Sequence, residues 1–102
     1  MRIMKPGLRL KSAVCSTEVM VIKAPAGEAQ VSCGGVEMLG ATEAGAPARL
    51  DPAQAAGSLI GKRYVDAEER YEFLCTKGGE GSLALNGVAL QVKQAKALPS
   101  SD

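Results

Sequence analysis

Two segments of the chain repeat one order of strand-like runs and glycine turns, and this echo restricts the possible folds more than any other feature. The segments read VIKAPAGEAQVSCGGVEML and LCTKGGEGSLALNGVALQV. Each holds an apolar run, a lysine, a glycine-containing turn, a second run and a second glycine turn, and Asn86-Gly87 is the strongest two-residue hairpin signal in the chain. The echo indicates either a real duplication or two generic β-meanders that are alike by chance. A real duplication predicts that the two meanders pack face to face as a pseudo-symmetric small barrel or sandwich.

The composition agrees with a small β protein. The 102 residues include twelve glycines and five prolines but only three aromatic residues, so turns are frequent and the core must be built from Val, Leu, Met and Ala. We predict an all-β fold of about seven or eight short strands. It is a small barrel or sandwich of two meander units with short hairpins and one helical turn. Residues 1–102 form a single domain, with flexible ends at 1–7 and 97–102.

A long loop over residues 40–57 separates the two segments. It is rich in Ala, Gly and Pro, and a loop of this length in a compact domain is often functional. Its second half predicts the helical turn, with Asp51 as N-cap, Pro52 at the first helical position and Gly57 as the stop. The loop is therefore the first place where we expect contacts with a partner.

The charge is small overall but unevenly distributed. The net charge of +1 argues against general nucleic-acid binding, whereas residues 1–23 alone carry +4. Lysine and arginine at strand edges block unwanted pairing, which is one explanation; the other is docking to an acidic partner surface. The candidate partner-binding residues are Arg2, Lys5, Arg9 and Lys11.

The sequence lacks the residues that most catalytic sites need. It has no histidine, which removes the commonest general base, and no phosphate-binding glycine motif. We predict no catalytic residue, and these absences favour, without proving, a non-catalytic accessory or interaction module. Such a module fits a small subunit of a larger enzyme system, with a protein partner or a second copy of itself. No run reaches membrane-spanning length, and three cysteines without a secretory signal predict free thiols in the cytoplasm.

One stretch, Lys11–Met38, is similar to a known family of metal proteins. It carries Ser12-Ala13-Val14-Cys15 and, further on, Ser32-Cys33-Gly34 followed by Met38. This resembles the desulforedoxin family and its rubredoxin-like relatives, small β domains that hold iron between a Cys-x-x-Cys pair and a Cys-Cys pair followed by glycine. Here the second cysteine of each pair is present, and serine replaces the first.

The resemblance implies a metal site at Cys15 and Cys33, for structural zinc or for iron. Only half of the ligand set is present, so a four-sulfur iron site cannot form within one chain. Cys75, a carboxylate or a second subunit would complete the coordination, unless the two thiols bind no cofactor at all. The resemblance also implies that Ser12 and Ser32 occupy the vacated ligand positions, and that the two cysteine Cα atoms lie about 5–7 Å apart. Cys75 itself is predicted to be a buried core residue.

Overall fold

The computed structural model describes residues 2–45 and 48–93. The all-β prediction is confirmed, although the strands are shorter and more numerous than the seven or eight predicted, because glycine turns interrupt each meander repeatedly. The strands of these two ranges are β1 (Arg2–Ile3), β2 (Arg9–Lys11), β3 (Glu18–Lys23), β4 (Glu28–Ala29), β5 (Val31–Cys33), β6 (Val36–Glu37), β7 (Leu39–Gly40), β8 (Arg63–Val65), β9 (Glu72–Lys77), β10 (Leu83–Leu85), β11 (Val88–Ala89) and β12 (Gln91–Val92).

The helical turn is found where the sequence predicts it, as a 3₁₀ turn over Pro52–Gln54. The carboxylate of Asp51 accepts a hydrogen bond from the backbone N–H of Ala53 at 2.9 Å, which is the N-cap interaction. Proline fits the first position because its missing N–H would have had no partner there. Within the described ranges, no helix is long and apolar enough to cross a membrane.

In the described part of the chain the strands form three sheets, and the strand order of the two larger sheets is symmetric between the two halves of the chain. The six-stranded sheet runs β12-β8-β9-β3-β2-β7, and the four-stranded sheet runs β11-β10-β5-β6. A third sheet pairs β1 with β4. Exchanging the two halves of the chain maps each larger sheet onto itself. Neither of these sheets closes into a barrel among the residues that are described.

Hydrogen bonds outside the regular ladders repeat between the halves in the same way. Met38 N donates to Val31 O at 2.8 Å, and 52 positions later Leu90 N donates to Leu83 O at 3.0 Å. The repeated turns at the starts of the two halves show the same correspondence: Val21 N donates to Leu8 O at 2.8 Å, and Cys75 N donates to Lys62 O at 2.9 Å. The echo in the sequence is therefore a pseudo-two-fold arrangement of the backbone.

The expectation that two duplicated meanders pack face to face as separate units is not met. Instead, β3 of the first half pairs with β9 of the second at the centre of one sheet, and β5 pairs with β10 at the centre of the other. Pairing across the halves satisfies backbone donors and acceptors that would otherwise form exposed sheet edges. Each larger sheet thus contains strands from both halves.

A single hydrophobic core joins the two larger sheets. Strand β3 alternates buried and partly exposed residues, as a strand with one face in the core must. The six-stranded sheet contributes Val19, Val21 and Phe73, and the four-stranded sheet contributes Val31 and Leu83, among others. The arrangement is that of a small sandwich.

The chain ends and the long loop differ in part from the prediction. In the flexible arm predicted over residues 1–7, Arg2–Ile3 instead pairs with β4 and Met4 is buried in the core, while Met1 lies outside the described residues. A two-residue strand has no periodicity that the sequence could reveal. The tail predicted over 97–102 lies outside the described residues. In the loop, Asp51 N donates to Gly34 O at 2.9 Å, which fixes the loop beside Cys33.

Candidate functional site

The structure brings Cys15 and Cys33 into direct contact. Cys15 lies in the six-residue loop between β2 and β3, and Cys33 is the last residue of β5. Their sulfur atoms are 3.7 Å apart although the residues are 18 positions apart in the sequence. Both cysteines are free thiols. The contact joins the two larger sheets, because the Cys15 loop belongs to the six-stranded sheet and Cys33 to the four-stranded sheet.

Ser12 gives the Cys15 loop its shape. Its hydroxyl oxygen accepts hydrogen bonds from the backbone N–H groups of Val14 and Cys15, both at 3.1 Å. Its own N–H donates to the carbonyl of Thr17 at 2.8 Å, which closes the loop. Serine is suited to this position because a short hydroxyl side chain can satisfy nearby backbone donors in a turn.

The same loop directs hydroxyl groups at the sulfur of Cys15. Ser12 Oγ lies 3.3 Å from it and Thr17 Oγ1 lies 3.2 Å from it. Burial alone would raise the pKa of Cys15. Hydrogen bonds from the Ser12 and Thr17 hydroxyls and from the backbone of Thr17 and Gly81 outweigh that cost and lower the pKa from 9.0 to about 6. Cys15 is therefore largely a thiolate at neutral pH.

Cys33 has the opposite character. Its side chain has no solvent exposure, and burial, the largest influence, raises its pKa from 9.0 to about 11. The hydroxyls of Thr17 and Ser12 oppose that rise, while the neighbouring Cys15 adds to it. The site thus pairs one ionised, half-buried sulfur with one protonated, fully buried sulfur.

Two glycines from the second half of the chain make room for the sulfurs. A Cβ atom on Gly79 would collide with Thr17 Oγ1 and would lie 3.0 Å from Cys15 Sγ. A Cβ atom on Gly81 would lie 2.6 Å from Cys33 Sγ and 2.8 Å from Gly34 N. These glycines are needed for close approach and not for a positive φ, which neither of them has.

The other residues implied by the metal resemblance lie apart from this pair. Ser32 precedes Cys33 within β5, so its side chain points to the opposite face of the sheet, and the expectation that it occupies a ligand position is wrong. Cys75 is buried as predicted, and its thiol contacts the carbonyl of Lys77 at 3.2 Å. Over 2–45 and 48–93, no three His, Cys, Asp or Glu residues are grouped so as to hold a metal ion.

The four candidate partner-binding residues are not equivalent. Arg2 is paired with Glu43 at 2.7 Å, and the hydrogen bond from Arg2 and the backbone N–H of Gly40 lower the pKa of that carboxylate. Lys5 and Arg9 are exposed, whereas Lys11 is half-buried in β2 between two neighbouring strands. Lys5 and Arg9 therefore present the more accessible positive charges.

Sequence reasoning did not identify Thr17, Gly79 or Gly81 as parts of the site. The two glycines stand in the first glycine-containing turn of the second repeated segment, and their role depends on contacts with residues more than 45 positions away, which the sequence does not reveal. For Thr17 a local signal existed: a hydroxyl residue two positions after a cysteine in a tight loop is placed to hydrogen-bond the sulfur. Ser12, three positions before Cys15, is also close enough in the loop to hydrogen-bond the sulfur.

The pseudo-two-fold arrangement shows that the fold does not depend on the thiols. The position equivalent to Cys33, 52 residues later, is Leu85, and the position equivalent to Cys15, 54 residues later, is Glu69. Both loops between the paired strands are six residues long. The second half therefore builds the same strands with an ordinary core leucine at the position of Cys33, but its six-residue loop has a different backbone, because Glu69 has a φ of 54° whereas Cys15 has no positive φ. The cysteine pair is a feature of the first half alone.

Comparison of the chain with models of protein families, with curated proteins and with solved structures finds no match. What the protein does must therefore be inferred from its own residues.

Proposed function

We propose that this protein is a non-catalytic accessory module that binds a thiophilic metal ion through Cys15 and Cys33 and completes the coordination with an outside ligand. The observation that carries the proposal is the 3.7 Å separation of the two sulfur atoms. Zinc–sulfur bonds of about 2.3 Å at tetrahedral angles separate two thiolate ligands by about 3.8 Å. The pair thus has the spacing of two corners of a tetrahedral zinc site before any metal is bound.

The electrostatics of the pair support the same function. Metal binding requires thiolates, and Cys15 carries that charge at neutral pH because hydroxyl and backbone donors surround it. Cys33 must lose its proton on binding, so affinity should rise with pH. Zinc suits two thiolates with mixed outside ligands better than iron, whose site in the resembled family needs four sulfurs.

The two missing ligands connect metal binding with partner binding. At this site the described residues supply two of their three thiols, so the remaining positions fall to water, to a second copy of the chain or to another protein. A partner that supplies ligands would make this chain a small subunit of a larger assembly, for example of an enzyme system. The exposed Lys5 and Arg9 would favour an acidic surface on that partner.

The proposal is tested by equilibrium dialysis of the reduced protein against zinc, followed by elemental analysis, and by cadmium titration, which reports thiolate coordination in the ultraviolet. We expect one zinc per chain, or one per two chains if a second copy completes the site. Cys15→Ser and Cys33→Ser should each lower zinc affinity by at least about tenfold, because loss of a ligand costs no less than loss of an outer-shell partner.

Cys75→Ser is the matched control, since it removes a buried thiol that is outside the pair but keeps a hydroxyl able to reach the carbonyl of Lys77. It should bind zinc like the unmodified protein. Equal affinity in all three variants would show that the pair is not the metal site. Size-exclusion chromatography with and without zinc then distinguishes a second copy from water or a different protein as the outside ligand.

We also propose a reducing, cytoplasmic location for the protein. A metal site made of two neighbouring thiols works only while both sulfurs remain reduced. All three cysteines are free, including the two in contact. Acid quenching of whole cells, followed by thiol alkylation in denaturant with a chelator, would find both Cys15 and Cys33 modified on this proposal, and would find them protected as a disulfide in an oxidising compartment.

A further inference from the structure

We propose that Cys15 and Cys33 also act as a dithiol that reduces low-molecular-weight disulfides of the oxidised-glutathione class, with Cys15 as the attacking sulfur and Cys33 as the resolving sulfur. The proposal does not rest on metal binding. It rests on the contact between the two sulfurs, on their different accessibility and on the hydrogen bonds that surround one of them.

The distance permits an intramolecular disulfide with only a local movement. The sulfurs are 3.7 Å apart and a disulfide bond is about 2.05 Å long, so they must approach by about 1.7 Å. Cys33 is held in β5, which is paired on both sides, by β10 and β6. Cys15 lies in a half-buried loop without ladder pairing, so the movement falls mainly to Cys15.

The two sulfurs are positioned for different steps. Cys15 is partly exposed, so a disulfide in solution can reach it, whereas Cys33 has no exposed surface and can be reached only from Cys15. The hydroxyls of Ser12 and Thr17, 3.3 and 3.2 Å from Cys15 Sγ, stabilise negative charge on that sulfur both before attack and whenever it departs as a leaving group.

The exchange balances as follows. The thiolate of Cys15 attacks one sulfur of the disulfide RSSR; the S–S bond breaks, a mixed disulfide forms on Cys15, and RS⁻ leaves. RS⁻ takes up the proton that Cys33 releases, which gives the first RSH. The sulfur of Cys33 then attacks Cys15 Sγ, the Cys15–Cys33 bond forms, and the second RS⁻ leaves and takes a proton from water. Two electrons pass from the protein dithiol to RSSR.

The test uses the full chain, treated with a chelator to remove metal, and mixtures of reduced and oxidised glutathione. Mass spectrometry of alkylated peptides follows the products. We expect a Cys15–Cys33 disulfide in the unmodified protein, and in Cys33→Ser a stable glutathione adduct on Cys15. Cys15→Ser should react at least about tenfold more slowly, because Cys33 is buried.

Cys75→Ser serves as the control and should form the disulfide at the rate of the unmodified protein. The unmodified protein needs no variant to be informative, since its peptide map alone shows whether the two cysteines are joined. A protein that stays fully reduced in excess oxidised glutathione would overturn the proposal. Equal rates for Cys15→Ser and the unmodified protein would overturn the assignment of roles. If the protein binds zinc but forms no Cys15–Cys33 disulfide, the proposed metal site is retained and the proposed thiol–disulfide exchange is excluded.

Discussion

The hydroxyl of Thr17 lies 3.2 Å from the sulfur of Cys15, and the side chain of Thr17 has no exposure to solvent. A buried hydroxyl normally needs a hydrogen-bond partner. Here the partner is the sulfur of Cys15, and the contact stabilises the ionised form of that sulfur. The position of Thr17 is fixed in turn by its carbonyl, which accepts from Ser12 N at 2.8 Å. Thr17 therefore links the shape of the loop to the ionisation of Cys15.

Replacing Thr17 with valine should raise the pKa of Cys15. Valine keeps the shape of threonine but removes the hydroxyl, and a hydrogen bond to a charged group contributes about 1.5–3 kcal/mol, which corresponds to about one to two pKa units. Thr17→Ser is the matched variant, because it keeps the hydroxyl and loses a methyl group, and it should leave the pKa near its original value. The pH dependence of thiol alkylation measures both, and an equal shift in the two variants would rule out the hydrogen bond as the cause.

The two cysteines should react with an alkylating reagent over different pH ranges. Only the thiolate reacts, so modification of Cys15 should rise about tenfold per pH unit up to about pH 6 and then level off. Modification of Cys33 should remain slow and continue to rise towards pH 11. Peptide mapping after short exposures separates the two sites. Identical profiles for both sulfurs would contradict the difference in their environments.

Stability should depend on pH through the same two groups, with opposite signs. Because the folded state lowers the pKa of Cys15, its contribution to the free energy of unfolding is complete above pH 9.0 and is lost as pH falls towards 6. Because the folded state raises the pKa of Cys33, its contribution is complete below pH 9.0 and is lost as pH rises towards 11. In denaturant unfolding experiments with reductant, the free energy of unfolding should therefore increase between pH 6 and 9, and Cys15→Ser should reduce that increase. A rise that persists unchanged in the variant would have another origin.

Gly81→Ala should destabilise the protein far more than Gly40→Ala. The new Cβ at position 81 would meet Cys33 Sγ at 2.6 Å and the backbone N of Gly34 at 2.8 Å, and backbone cannot easily yield, so we expect a loss of about 1–3 kcal/mol. At position 40 the nearest atoms are the ends of the flexible Arg2 and Glu43 side chains at 3.2 Å, and these exposed side chains can move aside with little loss of stability. Denaturant unfolding compares the two variants. Equal losses would show that close approach at the sulfur is not the constraint.

A third thiol at position 12 should strengthen metal binding, whereas one at position 32 should not. Ser12 Oγ is 3.3 Å from Cys15 Sγ, so Ser12→Cys adds a sulfur on the same side as the existing pair. Ser32→Cys places its sulfur on the opposite face of β5 and is the matched control. Zinc competition titrations should show tighter binding for the first variant alone. Tighter binding in both would mean that the four-ligand arrangement of the desulforedoxin family is closer than the strand geometry indicates.

Local signals in the sequence predicted local structure well. The hairpins at Gly34-Gly35 and Asn86-Gly87, and the 3₁₀ turn after Asp51, each follow from residue types that favour one backbone conformation. These features depend on a few neighbouring residues. The closeness of Cys15 and Cys33 was implied by the resemblance to the desulforedoxin family, although the Cys15 loop and Cys33 belong to different sheets.

Features that depend on distant contacts could not be predicted in this way. Nothing near Val21 in the sequence indicates that its strand pairs with the strand of Phe73, 52 positions later. The burial of Met4 follows from a two-residue strand whose partner is equally short, and such strands have no periodic pattern. The role of Gly81 depends on its close approach to Cys33 Sγ and Gly34 N, where a larger residue would have its Cβ atom, and the sequence does not reveal such a contact.

The exchange of strands between the two halves has a consequence for assembly. In a symmetric dimer the same surface of each copy forms the interface, so every contact occurs twice. The strand pairing between the two halves of this chain follows the same rule. The pairing of Val19 with Cys75 is the counterpart of the pairing of Phe73 with Val21. A half-length chain would present an isologous interface, so a second copy could take the place of the missing half. Because both halves are joined in one chain, no second copy is needed. The two halves can therefore carry different residues at equivalent positions, with the cysteine pair in the first half alone.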